Sequence, residues 1–193
     1  ENGSGTVLTG TAANVYTHGP GSFYMYGGQM NLTGDTFEDN GETITNRAIF
    51  QANAGGTLFG GTISLTNGTY INNMNVSFDG GKITIENDWP EVPGLENNLY
   101  FPINSGTIDI TANGVAIVNG GTFHQMGGEI TATNTSGTRP VMISIGTVMQ
   151  NTGVLNLNSE NGVGLVQGYD FELAADEEEG NESMLFIGAV VLG

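Results

Sequence analysis

One six-residue phrase returns along this chain: two small residues, usually glycines, then a variable residue, an aliphatic, a polar residue and an aliphatic. It reads Gly27-Gly28-Gln29-Met30-Asn31-Leu32, then Gly60-Gly61-Thr62-Ile63-Ser64-Leu65. It returns as Gly80-Gly81-Lys82-Ile83-Thr84-Ile85 and Ser105-Gly106-Thr107-Ile108-Asp109-Ile110. Looser copies are Gly127-Gly128-Glu129-Ile130-Thr131-Ala132 and Thr152-Gly153-Val154-Leu155-Asn156-Leu157. Measured between the second positions, from Gly28 to Gly153, the steps are 33, 20, 25, 22 and 25 residues. A recurrence of this length marks a repeat architecture, in which no unit buries its own apolar face and each must stack on its neighbour.

Within the phrase the period is two. Met30 and Leu32, Ile63 and Leu65, Ile83 and Ile85, Ile108 and Ile110 point one way, and the residues between them the other, as in a half-buried strand. A second phrase stands seven residues upstream of the first: Gly21-Ser22-Phe23, Gly121-Thr122-Phe123 and Gly146-Thr147-Val148. A third apolar patch completes the unit, as Ala48-Ile49-Phe50, Ala116-Ile117-Val118, Met142-Ile143-Ser144-Ile145 and Leu165-Val166. Asn67, Asn87, Asn134 and Gly34 occupy one offset and are expected to turn corners through positive φ. The prediction is an all-β chain, a right-handed parallel β-helix of six to eight coils with three short strands each. Residues 1–193 form a single such domain or a segment of a longer one. The competing reading is an antiparallel β-sandwich, which does not require one phrase to return in register.

Four segments break the rhythm and are expected to be loops leaving the coil corners: 35–47, 87–98, 134–140 and 174–183. The first is acidic and ends at Arg47. The second carries the one tryptophan, Trp89, with Asp88, Glu91 and Glu96, and is stiffened by Pro90 and Pro93. Trp89 either anchors a partner or folds back over the flank. The candidate binding residues are therefore Trp89, Asp88, Glu91, Glu96 and Arg47. No metal is expected. The run Asp176, Glu177, Glu178 and Glu179 could collect calcium, but calcium loops space their carboxylates with Gly and Asn, and four successive acids suit a solvated loop better. The apolar run from Met184 to Leu192 is expected to close the stack, to continue it, or to make an end-to-end contact with another copy.

Charge narrows the partners. Three Lys and Arg against 20 Asp and Glu leave a net charge of −17, which repels nucleic acid and anionic membrane surfaces. No apolar run reaches the ~18 residues of a membrane span. No secretion leader opens the chain, so it reads as a mature or excised piece. Without cysteine there is no disulfide, thiol nucleophile or Cys-ligated zinc. Polysaccharide lyases of this shape need a base and cations, and Arg47, Lys82 and Arg139 fall at unrelated phases. Hydrolases need converging carboxylates, but the stacked neighbours of Asp109 are Thr84 and Thr131. His18 and His124 lie far apart, and no HExxH, GxSxG or P-loop pattern exists. Neither catalytic residues nor a cofactor is expected. The outward column Asn31, Ser64, Thr84, Asp109, Thr131, Asn156 holds two threonines and reads as a solvated face rather than an ice-matching array.

The stretches GGTISLTNG, GGKITIEN, GGTFHQMGGEITATN and NTGVLNLNSENGVGLV resemble the passenger region of bacterial autotransporter (type V secreted) adhesins, over most of residues 5–168. That resemblance implies an extracellular rod at a bacterial surface, or released from it, that contacts a host or bacterial surface protein or glycan. The membrane-embedded barrel of that family is not in this sequence, and the family offers no shared catalytic residues to carry over. Two alternatives remain open: a carbohydrate-active β-helix enzyme, and a self-assembling filament subunit.

Overall fold

The computed structural model of the chain describes residues 5–159 and 163–168. Among them there are strands and turns but no helix. Four strands open the chain: β1 (Val7–Thr11), β2 (Asn14–His18), β3 (Phe23–Met25) and β4 (Gln29–Thr33). A hairpin of β5 (Asp35–Asp39) and β6 (Glu42–Asn46) follows. Next come β7 (Ala48–Asn53), β8 (Gly56–Leu58) and β9 (Thr62–Thr66), then β10 (Gly68–Asn72) and the bent β11 (Val76–Asn87). After them run β12 (Leu95–Asn97) and the bent β13 (Tyr100–Ala112), then β14 (Ile117–Asn119), β15 (Thr122–Gln125) and β16 (Glu129–Asn134). The last described strands are β17 (Met142–Ser144), β18 (Thr147–Gln150), β19 (Val154–Ser159) and β20 (Leu165–Gln167).

These strands build three parallel ladders. The first is β1, β4, β9, the second half of β11, the second half of β13, β16 and β19. The second is β3, β8, the first half of β11, the first half of β13, β15 and β18. The third is β2, β7, β10, β12, β14, β17 and β20. The bent strands β11 and β13 belong to two ladders at once, which merges the first two into one 11-stranded sheet beside a seven-stranded sheet. Every pairing in these two sheets is parallel, so the sandwich reading does not hold; sequence neighbours do not pair, whereas strands one repeat apart do.

The register follows the sequence phrase. Met30 faces Ile63, Ile63 faces Ile83, Ile83 faces Ile108, Ile108 faces Ile130 and Ile130 faces Leu155. Ile63, Ile83, Ile108 and Ile130 are fully buried. A one-residue slip would turn each of them to solvent, and burial of an aliphatic side chain is worth roughly 1.5–3 kcal/mol, so the alternation pins the register. A second internal column is aromatic: Phe23, Phe50, Tyr70, Phe101 and Phe123 touch in succession, with ring centroids 5.1 to 6.0 Å apart. Corner backbone pairs between repeats as well. Thr62 N donates to Gly28 O at 2.9 Å and Lys82 N to Gly61 O at 2.8 Å.

Corners are turned in two ways. Asn67 has φ 49, as expected. Gly34 turns without positive φ, and neither Asn87 nor Asn134 adopts it. The two asparagines are buried side chains that organise the loops beyond them. Asn87 Nδ2 donates to Val92 O at 2.7 Å and its Oδ1 accepts from Trp89 N at 3.0 Å. Asn134 repeats the device with Arg139 O and Ser136 N, each at 2.8 Å. The short side chain supplies the bonds that a wider excursion would otherwise leave unmade.

The interruptions also have more order than loops. Within 35–47 lies the antiparallel hairpin, closed by Asn40-Gly41 with φ 51 and 83, the pair that a two-residue type I′ turn demands. The excursion after β11 is shorter than 87–98: Asn87 ends β11, and Leu95 to Asn97 form β12 with Leu95 and Asn97 fully buried. The loop proper is 88–94. Residues 174–183, with Asp176, Glu177, Glu178 and Glu179, and the run from Met184 to Leu192 lie outside the described residues.

Candidate functional site

The excursions share one corner. The hairpin leaves between β4 and β7, residues 88–94 between β11 and β12, 113–116 between β13 and β14, and 135–141 between β16 and β17. Each departs from the first ladder and rejoins at the third, so parallel stacking sets them side by side.

Trp89 is half-buried and folds toward the stack. A Cβ on Gly34 would stand 2.3 Å from Asn67 O and 3.0 Å from both Asn46 O and Trp89 Cη2, so glycine at the root of the hairpin lets the next repeat's backbone and the indole two repeats away close in. Pro90 O lies closer still to Gly114, where a Cβ would stand 2.3 Å from it. Asp88 is exposed. Its backbone N donates to Asn67 Oδ1 at 2.9 Å and its carbonyl accepts from Asn113 Nδ2 at 3.0 Å. Glu91 takes the Arg139 guanidinium in two bonds, Nη2 to Oε1 at 2.9 Å and Nη1 to Oε2 at 3.4 Å; Nη1 also reaches Pro90 O at 3.3 Å. Glu96 lies 3.8 Å from Arg47.

The chain has three Lys and Arg residues, and each is ion-paired: Arg47 with Glu96, Arg139 with Glu91, and Lys82 with Asp109 at 2.7 Å. Two of the three pairs brace this corner. Of the residues expected to bind, Trp89, Asp88 and Glu91 therefore come together in one loop with Arg139. Arg47 and Glu96 pair with each other instead. Arg139 did not stand among the expected residues, because its partner is 48 positions away and belongs to a different repeat.

Among the described residues no three His, Cys, Asp or Glu side chains are grouped to hold a metal ion. His124 stands apart from the loops, its Nδ1 3.1 Å from Tyr100 Oη and its Nε2 buried without a protein partner. Comparison with known proteins returns nothing significant: no family model, no curated protein and no solved structure matches the chain.

Glu96 has a displaced titration. Burial pushes its pKa above the ordinary value of 4.5, and Arg47 opposes the shift without cancelling it. A carboxyl with a raised folded-state pKa is stabilising while protonated, and that contribution is lost as pH climbs through the shifted range. Glu96→Gln should therefore be slightly more stable than wild type at about pH 7, by less than ~1 kcal/mol, with the difference gone near pH 3. Arg47→Ala should be less stable than either near neutrality. Urea midpoints at the two pH values check the order; a Glu96→Gln protein weaker than wild type at neutral pH would reverse the assignment.

Proposed function

We propose that this chain is a right-handed parallel β-helix, a stiff extracellular rod that serves as a bacterial surface adhesin or display scaffold. Its partner is a surface protein or glycan of a host or of another bacterium, engaged at the corner where the excursions leave. The single observation that carries the reading is the convergence of the loop bearing Trp89 and Glu91 with Arg139, which comes from two repeats further along, onto one braced edge. A rod needs stiffness along its length and variation only at its loops; the core columns supply the first and the 88–94, 135–141 and hairpin segments the second. An acidic surface of net charge −17 keeps such a rod apart from polyanions and from other copies of itself.

Replacing residues 88–94 with a short Gly-Ser linker tests the reading. The circular-dichroism spectrum should be unchanged, because the strands on both sides remain, while attachment to target cells should fall to background. Attachment at the wild-type level would refute recognition at this edge. The linker must stop before Leu95, since a cut through Asn97 removes a core strand and confounds binding with unfolding.

A further inference from the structure

A second surface lies at a different corner, between the second and first ladders, where each repeat passes through its glycine or serine pair. The residue just before that pair is Tyr26, then Phe59, Asp79 and Asn104 in successive repeats. Phe59 N donates to Met25 O at 2.8 Å, which sets Phe59 directly over Tyr26. Their rings stack at 5.0 Å with planes 9° apart, and Tyr24 joins them at 6.4 Å and 21° from Phe59. All three are exposed: Tyr24 by 41%, Tyr26 by 57% and Phe59 by 45%. The core does not require them, because Met25 and Leu58, the intervening residues, already fill the interior. Beyond Phe59 the column turns polar. Asp79 Oδ1 accepts from Ser77 Oγ and from Asn104 Nδ2, the latter at 2.5 Å, so a carboxylate and an amide are held in fixed orientation beside the rings.

We propose that this corner is a binding subsite for an uncharged pyranose unit of a glycan chain, with the sugar's C–H face packed on the outer face of Phe59, Tyr26 backing that ring from its other side, and Asp79 and Asn104 taking the hydroxyls. An aromatic face carries negative π density that attracts C–H groups, and a few fixed polar groups at its rim select orientation. Size argues against a protein partner. Three half-exposed aromatics offer about 300 Å², whereas a stable protein interface needs roughly 800 Å² from each side. Charge argues against uronate or sulfated glycans, since Asp79 stands at the rim of a −17 chain. The subsite lies apart from the 88–94 edge and does not depend on it.

The test is a printed array of neutral, N-acetylated and uronate-bearing glycans probed with the full chain, followed by calorimetric titration of the best neutral oligosaccharide. Neutral glycans should be retained and uronates should not. Phe59→Ala and Tyr26→Ala should each weaken binding about tenfold or more, and Phe59→Tyr should retain it. Because Tyr26 lies outside the core, its variant keeps the test decisive should Phe59→Ala misfold. The 88–94 replacement should bind the oligosaccharide as wild type does, so failure of the loop reading and failure of this one are separable. Absence of neutral glycans from the array hits, equal uptake of uronates, or wild-type affinity in a folded Tyr26→Ala protein would overturn the assignment.

Discussion

Replacing Asn97 with alanine is expected to destabilise the fold by about 3–5 kcal/mol. Asn97 is the middle of a buried ladder of side-chain amides at one inward position of the third ladder. Asn72 Nδ2 donates to Asn97 Oδ1 at 2.7 Å, Asn97 Nδ2 to Asn119 Oδ1 at 2.7 Å, and Asn119 Nδ2 to Ser144 Oγ at 2.8 Å. Asn97 Nδ2 also reaches Leu99 O, and Asn119 Nδ2 reaches Gly121 O, both at 3.2 Å, so the ladder ties the strands to the next corner. Where water does not reach, truncation strips the donor from Asn119 Oδ1 and one of two acceptors from Asn72 Nδ2, which keeps only Tyr100 O at 3.2 Å. Each stranded polar atom costs about 1–3 kcal/mol, and the cavity adds to that. The upper end of the ladder already stops short: Ala52 faces Asn72, whose Oδ1 has no partner in the protein. Asn98→Ala is the control. Asn98 makes a similar bond, to Asn73 Oδ1 at 2.8 Å, but at the exposed position next door, where water replaces it. Its cost should stay within ~1 kcal/mol. Urea denaturation at fixed pH separates the two, and equal midpoints for Asn97→Ala and Asn98→Ala would remove the buried ladder as a source of stability.

Gly121→Ala should be nearly as damaging, about 3 kcal/mol or more. A Cβ there would stand 1.9 Å from Leu99 O and 2.6 Å from Leu99 C and N. The obstacle is backbone of the previous repeat, which cannot swing aside as a side chain can. Moving it breaks Gly121 N to Asn97 O at 3.1 Å and Thr122 N to Leu99 O at 2.6 Å. Gly146 is stacked on the same corner, where its own Cβ would fall 1.9 Å from Gly121 O. The neighbouring Gly120 has open room, with nothing nearer than 3.6 Å, so Gly120→Ala should change stability by less than ~1 kcal/mol. Thermal midpoints of the pair test this; a Gly121→Ala protein melting with the Gly120→Ala protein would mean that the corner is looser than its geometry.

These two positions show what periodicity reveals and what it hides. Gly121 stands in a phrase that recurs seven residues before the glycine pair, so its structural duty is readable from sequence. The duty of Gly121 is close approach of backbones, while that of Gly106, in the other phrase, is a φ of 94. Asn72, Asn97 and Asn119 are spaced by 25 and 22 residues, steps that the glycine phrase also takes, yet asparagine in a glycine-rich repeat reads as a corner residue. Its burial depends on which way a three-residue strand faces, and β12 is too short to show alternation. The hairpin hid for a related reason: its acidic residues mark a solvated segment, but the Asn40-Gly41 turn and the Phe37 to Ile44 pairing become visible only when the two strands are seen side by side.

At the corner where the excursions leave, composition singled out Trp89 and its proline-stiffened loop without locating what that loop touches. Glu91 and Arg139 are two repeats apart, and Gly34 and Trp89 are separated by 55 positions, so neither contact leaves a local pattern.

Repeat length, the inward set of aliphatic residues and the places where the chain must bend are written in the order of residues, because strand alternation and glycine geometry act within a few positions. Which excursions lie against one another, which asparagines lose contact with water, and which acids the three cations neutralise follow from the folded stack alone. Those outcomes depend on the stacking of whole repeats, which brings together groups that no local periodicity connects.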